Sequence, residues 1–547
     1  MNLRHDKPSF SQTKSSLIKI SRRALIKMSS LTAATTAITG LVGKTRHGHA
    51  HLPSTRQVTQ ASLSIPTSEA ELSYAKASDL LQLYKTKQVS PVEVLQAQLK
   101  RIEDLNDAVN AITYVHADEA MAAARESEKR YMQGNPRPLE GITVALKDEY
   151  NKVGWVTTAG SVLLKDNVAT KNYPAVDKLL DAGAVLHAQT TVPEMYVAAV
   201  TWTKLWGVTR NPWNLNYTVG GSSGGSGAAL ASGMTTLGTG SDMGGSIRIP
   251  CAFNGLYGFK APYGRNAPDP GSVFLLPSGE GPMARNFLDM VLLQNVMVGP
   301  APYTPTSLRP ALNYPLTYEG IRGIRIAYSM DQGWAQIDAD TRRNTEKALK
   351  VLESQGAIVE EIDLDLGFSG SEIRGALIKA LLSGAFGAEM AELTNYEDQL
   401  TTYGRYFAKV AANEMGPKQA KEAAEAINTL YAKVQDNVFL KGFDAIVMPT
   451  LATSNVTADY DPTQDTMTIN GLEVDPHVGW VLTPLWNLLN WNPVVAVPTG
   501  LDTNNMPTGM QIATRTYDDL MAFRIAAAYA DGAPALYLDK RFPDFRR

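Results

Sequence analysis

The stretch that decides the reading of this chain runs from Val219 to Arg248, VGGSSGGSGAALASGMTTLGTGSDMGGSIR. Two glycine-rich clusters, each carrying serine, stand 24 residues apart, and a helix-compatible segment, Ser226 to Ser232, follows the first. Apolar, strand-like sequence flanks the tract on both sides, which argues against a flexible Gly/Ser linker. A phosphate-binding loop also fits poorly. No GKS or GKT follows either cluster, and no GxGxxG stands between a strand and a helix. The remaining reading is a nucleophile beside backbone donors. Glycines let consecutive N–H groups converge on one point, an anion-binding nest. A serine directly after Gly244-Gly245 would stand where a carbonyl carbon meets those donors.

Working outward, short apolar runs alternate with helical patterns. Ile142 to Leu146, Ala184 to Ala188, Ile324 to Tyr328, Ala357 to Ile362, Ala445 to Met448 and Val494 to Val497 read as strands. Pro174 to Ala182 reads as a helix stopped by Gly183, and Asp338 caps a helix ending near Gly356. Ser90-Pro91-Val92-Glu93 is a capping box with proline at the first helical position. The alternation predicts an α/β fold, a large mixed β-sheet covered by helices on both faces. First and last strands are expected in one sheet, so the domain, residues 71–540, should not cut into sequential pieces. A largely helical and loop subregion is expected at about 370–485, helical to about 440 and loop over 450–485.

The chain has 547 residues, 51 Lys+Arg against 54 Asp+Glu, with 44% hydrophobic and 19% charged residues. That composition excludes a disordered or collagen-like chain and a nucleic-acid binder driven by bulk charge. Cys251 is the one cysteine, so no intramolecular disulfide or four-cysteine zinc site can form. Histidine is equally scarce, at positions 5, 47, 49, 51, 116, 187 and 477. Ser21-Arg22-Arg23-Ala24-Leu25-Ile26-Lys27, the weakly apolar run Met28 to Gly43 and Gly48-His49-Ala50 follow the order of a twin-arginine export signal with its cleavage site. Residues 1–50 hold nine basic residues and one acid, leaving a remainder at −11. A periplasmic or secreted protein is expected, with a flexible leader over 51–70, order from about Glu71, no lipid anchor and no attraction for nucleic acid.

At this point the chain resembles the amidase signature family. The resemblance rests on Gly220 to Gly225, on Asp242 to Arg248 and on Lys147-Asp148 upstream, with spacings of 75 from Lys147 to Ser222 and 24 from Ser222 to Ser246. It continues through Asn211-Pro212, Gly258-Phe259-Lys260, Gly281-Pro282-Met283-Ala284-Arg285, Met448-Pro449-Thr450 and Pro507-Thr508-Gly509-Met510-Gln511, over roughly residues 75–535. Departures are Thr190-Thr191, Asn490-Trp491-Asn492-Pro493 and Met243, which are expected to bear on substrate choice.

The resemblance implies hydrolysis of a carboxylic amide to acid plus ammonia or amine. Ser246 is the implied nucleophile, Ser222 the bridging serine after a cis peptide, and Lys147 the base. The backbone N–H groups of Met243, Gly244, Gly245 and Ser246 form the implied oxyanion hole, and Ser223, Asp242 and Arg248 orient the loops. No metal and no cofactor are implied; a homodimer is a family-level expectation. The chemistry is consistent with these roles. A serine hydroxyl needs a base to take its proton, and Ser–Lys arrangements are one solution. A free lysine titrates near 10.4, so a base working near 7–8 requires a shift of roughly 3 units, which burial can supply. Tyr196, Trp202, Trp486 and Trp491 are candidates for a pocket that takes an apolar or aryl amide.

Other readings fit the same residues less well. Gly221-Ser222-Ser223-Gly224-Gly225 also matches G-x-S-x-G, making Ser223 a nucleophile with His477 as the only later histidine. The S-x-x-K matches Ser11/Lys14, Ser16/Lys19 and Ser73/Lys76 lack a following K-T-G. His47, His49 and His51 straddle the expected cleavage site, so a metal there is not expected. The catalytic subunit of a tRNA-dependent amidotransferase, or a non-catalytic binding protein on the same fold, are the alternatives at the level of function.

Overall fold

The computed structural model describes residues 64–533, 536–537 and 542–543. The export signal expected over 1–50 and most of the leader lie outside the described residues. The first helix among the described residues spans Glu69–Tyr74, and Ser68 caps it by accepting from the Glu71 N–H at 3.2 Å. The predicted capping box is made. Ser90 Oγ accepts from the Glu93 N–H while Glu93 Oε2 accepts from the Ser90 N–H at 2.8 Å, and the helix runs Pro91–Val109. Asp338 likewise caps the helix Ala339–Ser354.

Among the described residues eleven strands form one mixed sheet. In chain order they are β1 (Ile112–Val115), β2 (Thr143–Lys147), β3 (Val185–Thr190), β4 (Leu237–Asp242), β5 (Tyr257–Lys260), β6 (Gly279–Ala284), β7 (Arg325–Tyr328), β8 (Ile358–Glu361), β9 (Ala445–Pro449), β10 (Val494–Leu501) and β11 (Pro507–Thr514). Their spatial order is β1-β3-β2-β4-β6-β5-β10-β11-β9-β7-β8. β2 runs parallel to both β3 and β4, β7 runs parallel to β8 and β9, and the centre is antiparallel. Each residue of β2, β3, β4, β6 and β11 is buried, as strands covered on both faces must be.

Over 370–437 the chain forms the helices Gly370–Leu382, Ala385–Glu392, Thr402–Glu414 and Pro417–Asn437. The stretch read as loop contains a small hairpin, Met467–Ile469 with Leu472–Val474. Glu194 ties this subregion to the sheet: its carboxylate accepts from the Thr401 N–H at 2.6 Å, Thr401 Oγ1 at 2.8 Å and Ser161 Oγ at 2.7 Å.

Candidate active site

Two neighbouring parallel strands place the chemistry. β2 ends at Lys147 and β4 ends at Asp242, so their carboxyl ends lie side by side, where open α/β sheets bind ligands. The Lys147 N–H donates to Thr239 Oγ1 of β4 at 2.9 Å, locking the two ends together. The second glycine cluster follows β4 directly. The first precedes the helix Gly224–Ala231, which leads back into β4. The Ser223 N–H donates to the Ser246 carbonyl at 3.1 Å, so the two serine loops are joined through their backbones.

Glycine permits this close approach. A Cβ on Gly221 would stand 2.6 Å from the Ala198 carbonyl oxygen and 2.8 Å from that of Val200. Gly245 has φ +123°, and a Cβ there would run into Thr483 Oγ1. The peptide between Gly221 and Ser222 is cis.

Lys147 is fully buried. Its Nζ lies in hydrogen-bond contact with Ser222 Oγ at 2.8 Å, donates to Ser241 Oγ at 2.7 Å, and lies 3.0 Å from Glu149 Oε2. The Tyr196 ring centroid stands 5.2 Å from the same atom. Burial pushes the lysine down from its ordinary value, because it disfavours the ammonium form; the Glu149 carboxylate opposes that shift. Ser246 is 6% exposed and lines the cleft. Its Oγ makes no hydrogen bond within the described residues, so the link from Ser222 to Ser246 is not closed in this structure.

Asp242 and Arg248 build the frame of the nest. Arg248 Nε and Nη2 donate to the two Asp242 oxygens at 2.9 Å each. The remaining guanidinium N–H groups reach the Thr483 carbonyl at 3.0 Å, Gln511 Oε1 at 2.7 Å and Asn487 Oδ1 at 2.6 Å, so all five donors are used. Burial alone would raise the Asp242 carboxyl, but the Arg248 guanidinium beside it holds it well below the usual carboxylate range. Asp242 also accepts from the Gly245 N–H at 2.8 Å and the Ile247 N–H at 3.2 Å. The expected donor set is therefore corrected at one position. The Gly245 N–H is committed to Asp242, whereas the N–H groups of Met243, Gly244 and Ser246 have no acceptor among the described residues. Ser223 is fully buried and its Oγ donates to the Ser241 carbonyl at 3.4 Å, so it does not face the cleft as a nucleophile would.

The cleft in front of Ser246 has an apolar wall contributed largely by the helical subregion, including Leu377, Ile378, Leu381, Phe386, Phe407 and Val481. Tyr196 lines it. The three tryptophans do not. Trp202 donates from its indole to the Tyr460 carbonyl at 2.9 Å and sets its edge against Tyr403. Trp486 is fully buried in a core cluster, and Trp491 packs beside that cluster against Tyr431. A large apolar ring near a site in sequence is as well suited to filling core volume, and all three do so. Of the departures from the family pattern, Met243 lies on the cleft. Thr190 and Thr191 bond inward to Ser226 and Thr209, and Asn490 is occupied by Lys260 and two backbone carbonyls.

Sequence reasoning missed Glu149, Ser241, Thr483 and Asn487. Glu149 had a legible signal, a carboxylate two positions beyond a strand-ending lysine. Thr483 and Asn487, which fasten the nest to the chain more than 230 residues on, had none.

The protein-family profile described as Amidase matches residues 93–522. The acylamidase of Rhodococcus erythropolis is 29% identical over 487 residues, covering 87% of this chain and 98% of that protein. A glutamyl-tRNA(Gln) amidotransferase subunit of Carboxydothermus hydrogenoformans is 30% identical over 478 residues, covering 84% of this chain and 97% of that protein. Among solved structures, a bacterial aryl acylamidase of the amidase signature enzymes superposes with a TM-score of 0.79 at 29% identity, covering 87% of this chain and 99% of that one.

Proposed function

The chain belongs to the amidase family, and from that premise we propose that it hydrolyses an apolar or aryl amide through an acyl-enzyme on Ser246. The observation that carries the reading is a fully buried Lys147 whose Nζ lies 2.8 Å from Ser222 Oγ, beside an apolar cleft lined by Ser246.

In the proposed mechanism Lys147 starts as the neutral amine. In the working complex Ser246 turns toward Ser222. Ser246 gives its proton to Ser222, Ser222 gives its own to Lys147, and Ser246 Oγ attacks the amide carbon. Negative charge then develops on the carbonyl oxygen. The uncommitted N–H groups of Met243, Gly244 and Ser246 receive it, and loss of one such donor typically costs about 10²–10³ in rate. The C–N bond breaks as the proton returns through Ser222 to the leaving nitrogen. Water attacks the ester by the same route, releasing the acid and restoring Ser246.

The acylamidase and aryl acylamidase likenesses support an acyl or aryl amide as substrate, as does the apolar wall. The likeness to one component of an amidotransferase supports a second reading, in which the chain works within a larger assembly. The order of the Arg pair, apolar run and cleavage site supports export through the twin-arginine route. Turnover by the isolated chain on primary amides, anilides and esters tests the proposal. Hydrolysis of anilides or apolar amides without a partner is the expected result. Inactivity on all three classes, with Ser246 unlabelled by a fluorophosphonate, overturns it.

A further inference from the structure

Three groups surround the Lys147 nitrogen: Ser241 Oγ at 2.7 Å, Ser222 Oγ at 2.8 Å and Glu149 Oε2 at 3.0 Å. Their donor and acceptor capacities differ. Ser241 spends its own hydrogen on Glu149 Oε2 at 2.5 Å, so toward Lys147 it can only accept. The Glu149 carboxylate can only accept as well. A neutral amine has two N–H bonds and one lone pair, and two of its three neighbours demand the N–H bonds. The third direction, toward Ser222, is left to the lone pair.

We propose that Glu149 is a positioning residue for Lys147: with Ser241 it takes both N–H bonds of the neutral amine and so aims the lone pair at the Ser222 hydroxyl. This rests on the reading of Lys147 as the base. No substrate contact is required of Glu149; it acts through the lysine.

The same carboxylate has an electrostatic consequence. Held 3.0 Å from Nζ, it favours the ammonium form and sets the pH below which the base is lost. Other groups act on the lysine too. Asp242 at the end of β4 and Glu280 on β6 add negative charge, and the face of Tyr196 covers one side. Glu149 itself feels Asp148, Asp269 and Glu280, with Tyr150, Tyr173 and Tyr196 around it. Of these groups Glu149 forms the direct ion pair with Nζ, so its charge is the one a substitution can remove selectively.

Both bonds converge on one glutamate oxygen, Oε2. Glu149→Gln can therefore keep both acceptor contacts through its amide oxygen while deleting the charge. The acid limb of kcat/KM, and of fluorophosphonate labelling of Ser246, should move to lower pH by about 1–3 units. Below both limbs the variant should outrun wild type, by about tenfold per unit of displacement reduced by whatever its plateau loses. Its plateau should be lower, since a weaker base is a poorer proton acceptor. Glu149→Leu, which loses the acceptor as well as the charge, should move the limb as Glu149→Gln does but fall to a lower plateau kcat still, with KM unmoved. A role confined to folding would lower rates without moving the limb.

An acid limb in Glu149→Gln that coincides with wild type overturns the proposal while leaving Lys147 as base, provided Lys147→Ala is inactive. If Lys147→Ala retains wild-type rates, the reading of the base falls and this proposal with it. Should Glu149→Gln not fold, Glu149→Asp serves, because its shorter side chain withdraws the charge from Nζ and should also lower the limb.

Discussion

The Asp242–Arg248 pair offers a sharp test of how the nest is held. Both side chains are fully buried, and Arg248 has an acceptor on each of its five N–H groups. Asp242→Asn keeps the shape but turns a donor group toward Arg248 or Asn487. It leaves a buried guanidinium with only neutral acceptors, which should cost about 3–5 kcal/mol. Arg248→Met leaves the opposite charge alone and orphans Gln511 Oε1 and Asn487 Oδ1, for a similar loss of about 3–5 kcal/mol. If the two acted independently, the double variant would lose about 6–10 kcal/mol. Because the double variant buries no unpaired charge, a coupling of about 3 kcal/mol should remain, with the double less damaged than the sum. Urea unfolding, followed by two probes to verify a single transition, measures the cycle. Hydrolysis should fall in all three variants and not return in the double, since Asp242 also holds the Gly245 and Ile247 N–H groups. Additivity within about 0.5 kcal/mol would refute the pairing as the source of stability. A double variant that regains activity would refute the claim that the pair shapes the loop.

Other outcomes are checkable on the same protein. Ser246→Ala should fold with an unchanged circular dichroism spectrum and hydrolyse below about a hundredth of the wild-type rate; a higher residual counts against the nucleophile. His187, buried with Nε2 2.9 Å from the Met234 carbonyl, is pushed down to about 4 by burial. The unfolded chain binds a proton near 6.5 that the folded chain refuses, so stability should fall between about pH 6.5 and 4, by about 3 kcal/mol from this residue. His187→Gln should flatten that part of the curve, and an unchanged slope would refute the assignment. Phe407→Ala removes a ring from the cleft wall and should lower kcat/KM about tenfold for the bulkiest apolar substrate accepted, mainly through KM, with little change for the smallest; equal losses on both would point to a folding defect.

The sequence carried the apolar strands of the sheet more readily than its glycine-rich ones. Strands β2, β3, β7, β8, β9 and β10 announce themselves by apolar, β-branched runs, and each was expected within one or two residues except at the far end of β10. The central β4 and β6 did not. Their sequences, LGTGSD and GEGPMA, are rich in glycine and polar residues, and Pro282 argues locally against a strand. They are strands because tertiary contacts override propensity. Gly240 and Gly281 lie opposite one another in register, and a Cβ on either would press into Ile247. The helices over 370–437 were legible by pattern, yet nothing in that pattern showed that one of their faces would become the wall of the cleft.

That division has a physical origin in what each part of the site must do. The proposed reacting groups are few, lie in short motifs and are constrained in residue type, because glycine allows the backbones so close and burial favours the neutral amine. Hence Lys147, Ser222 and Ser246 stand out in the chain. The wall that meets substrate has no such constraint. It needs apolar surface of suitable shape, which leucine, isoleucine, phenylalanine and valine supply interchangeably from three helices and a distant loop. The tryptophans illustrate the asymmetry: their size drew attention, but size equally suits the core where Trp486 lies. The frame between these parts is legible only in space. Arg248 lies in the second glycine cluster's motif, but three of its acceptors, on Thr483, Asn487 and Gln511, come from the last stretch of the chain. The nest can therefore keep its shape only once β11 has closed the sheet and the helix Pro484–Leu488 is seated. A chain cut before Thr483 would retain all three proposed catalytic side chains but leave the buried guanidinium short of those acceptors.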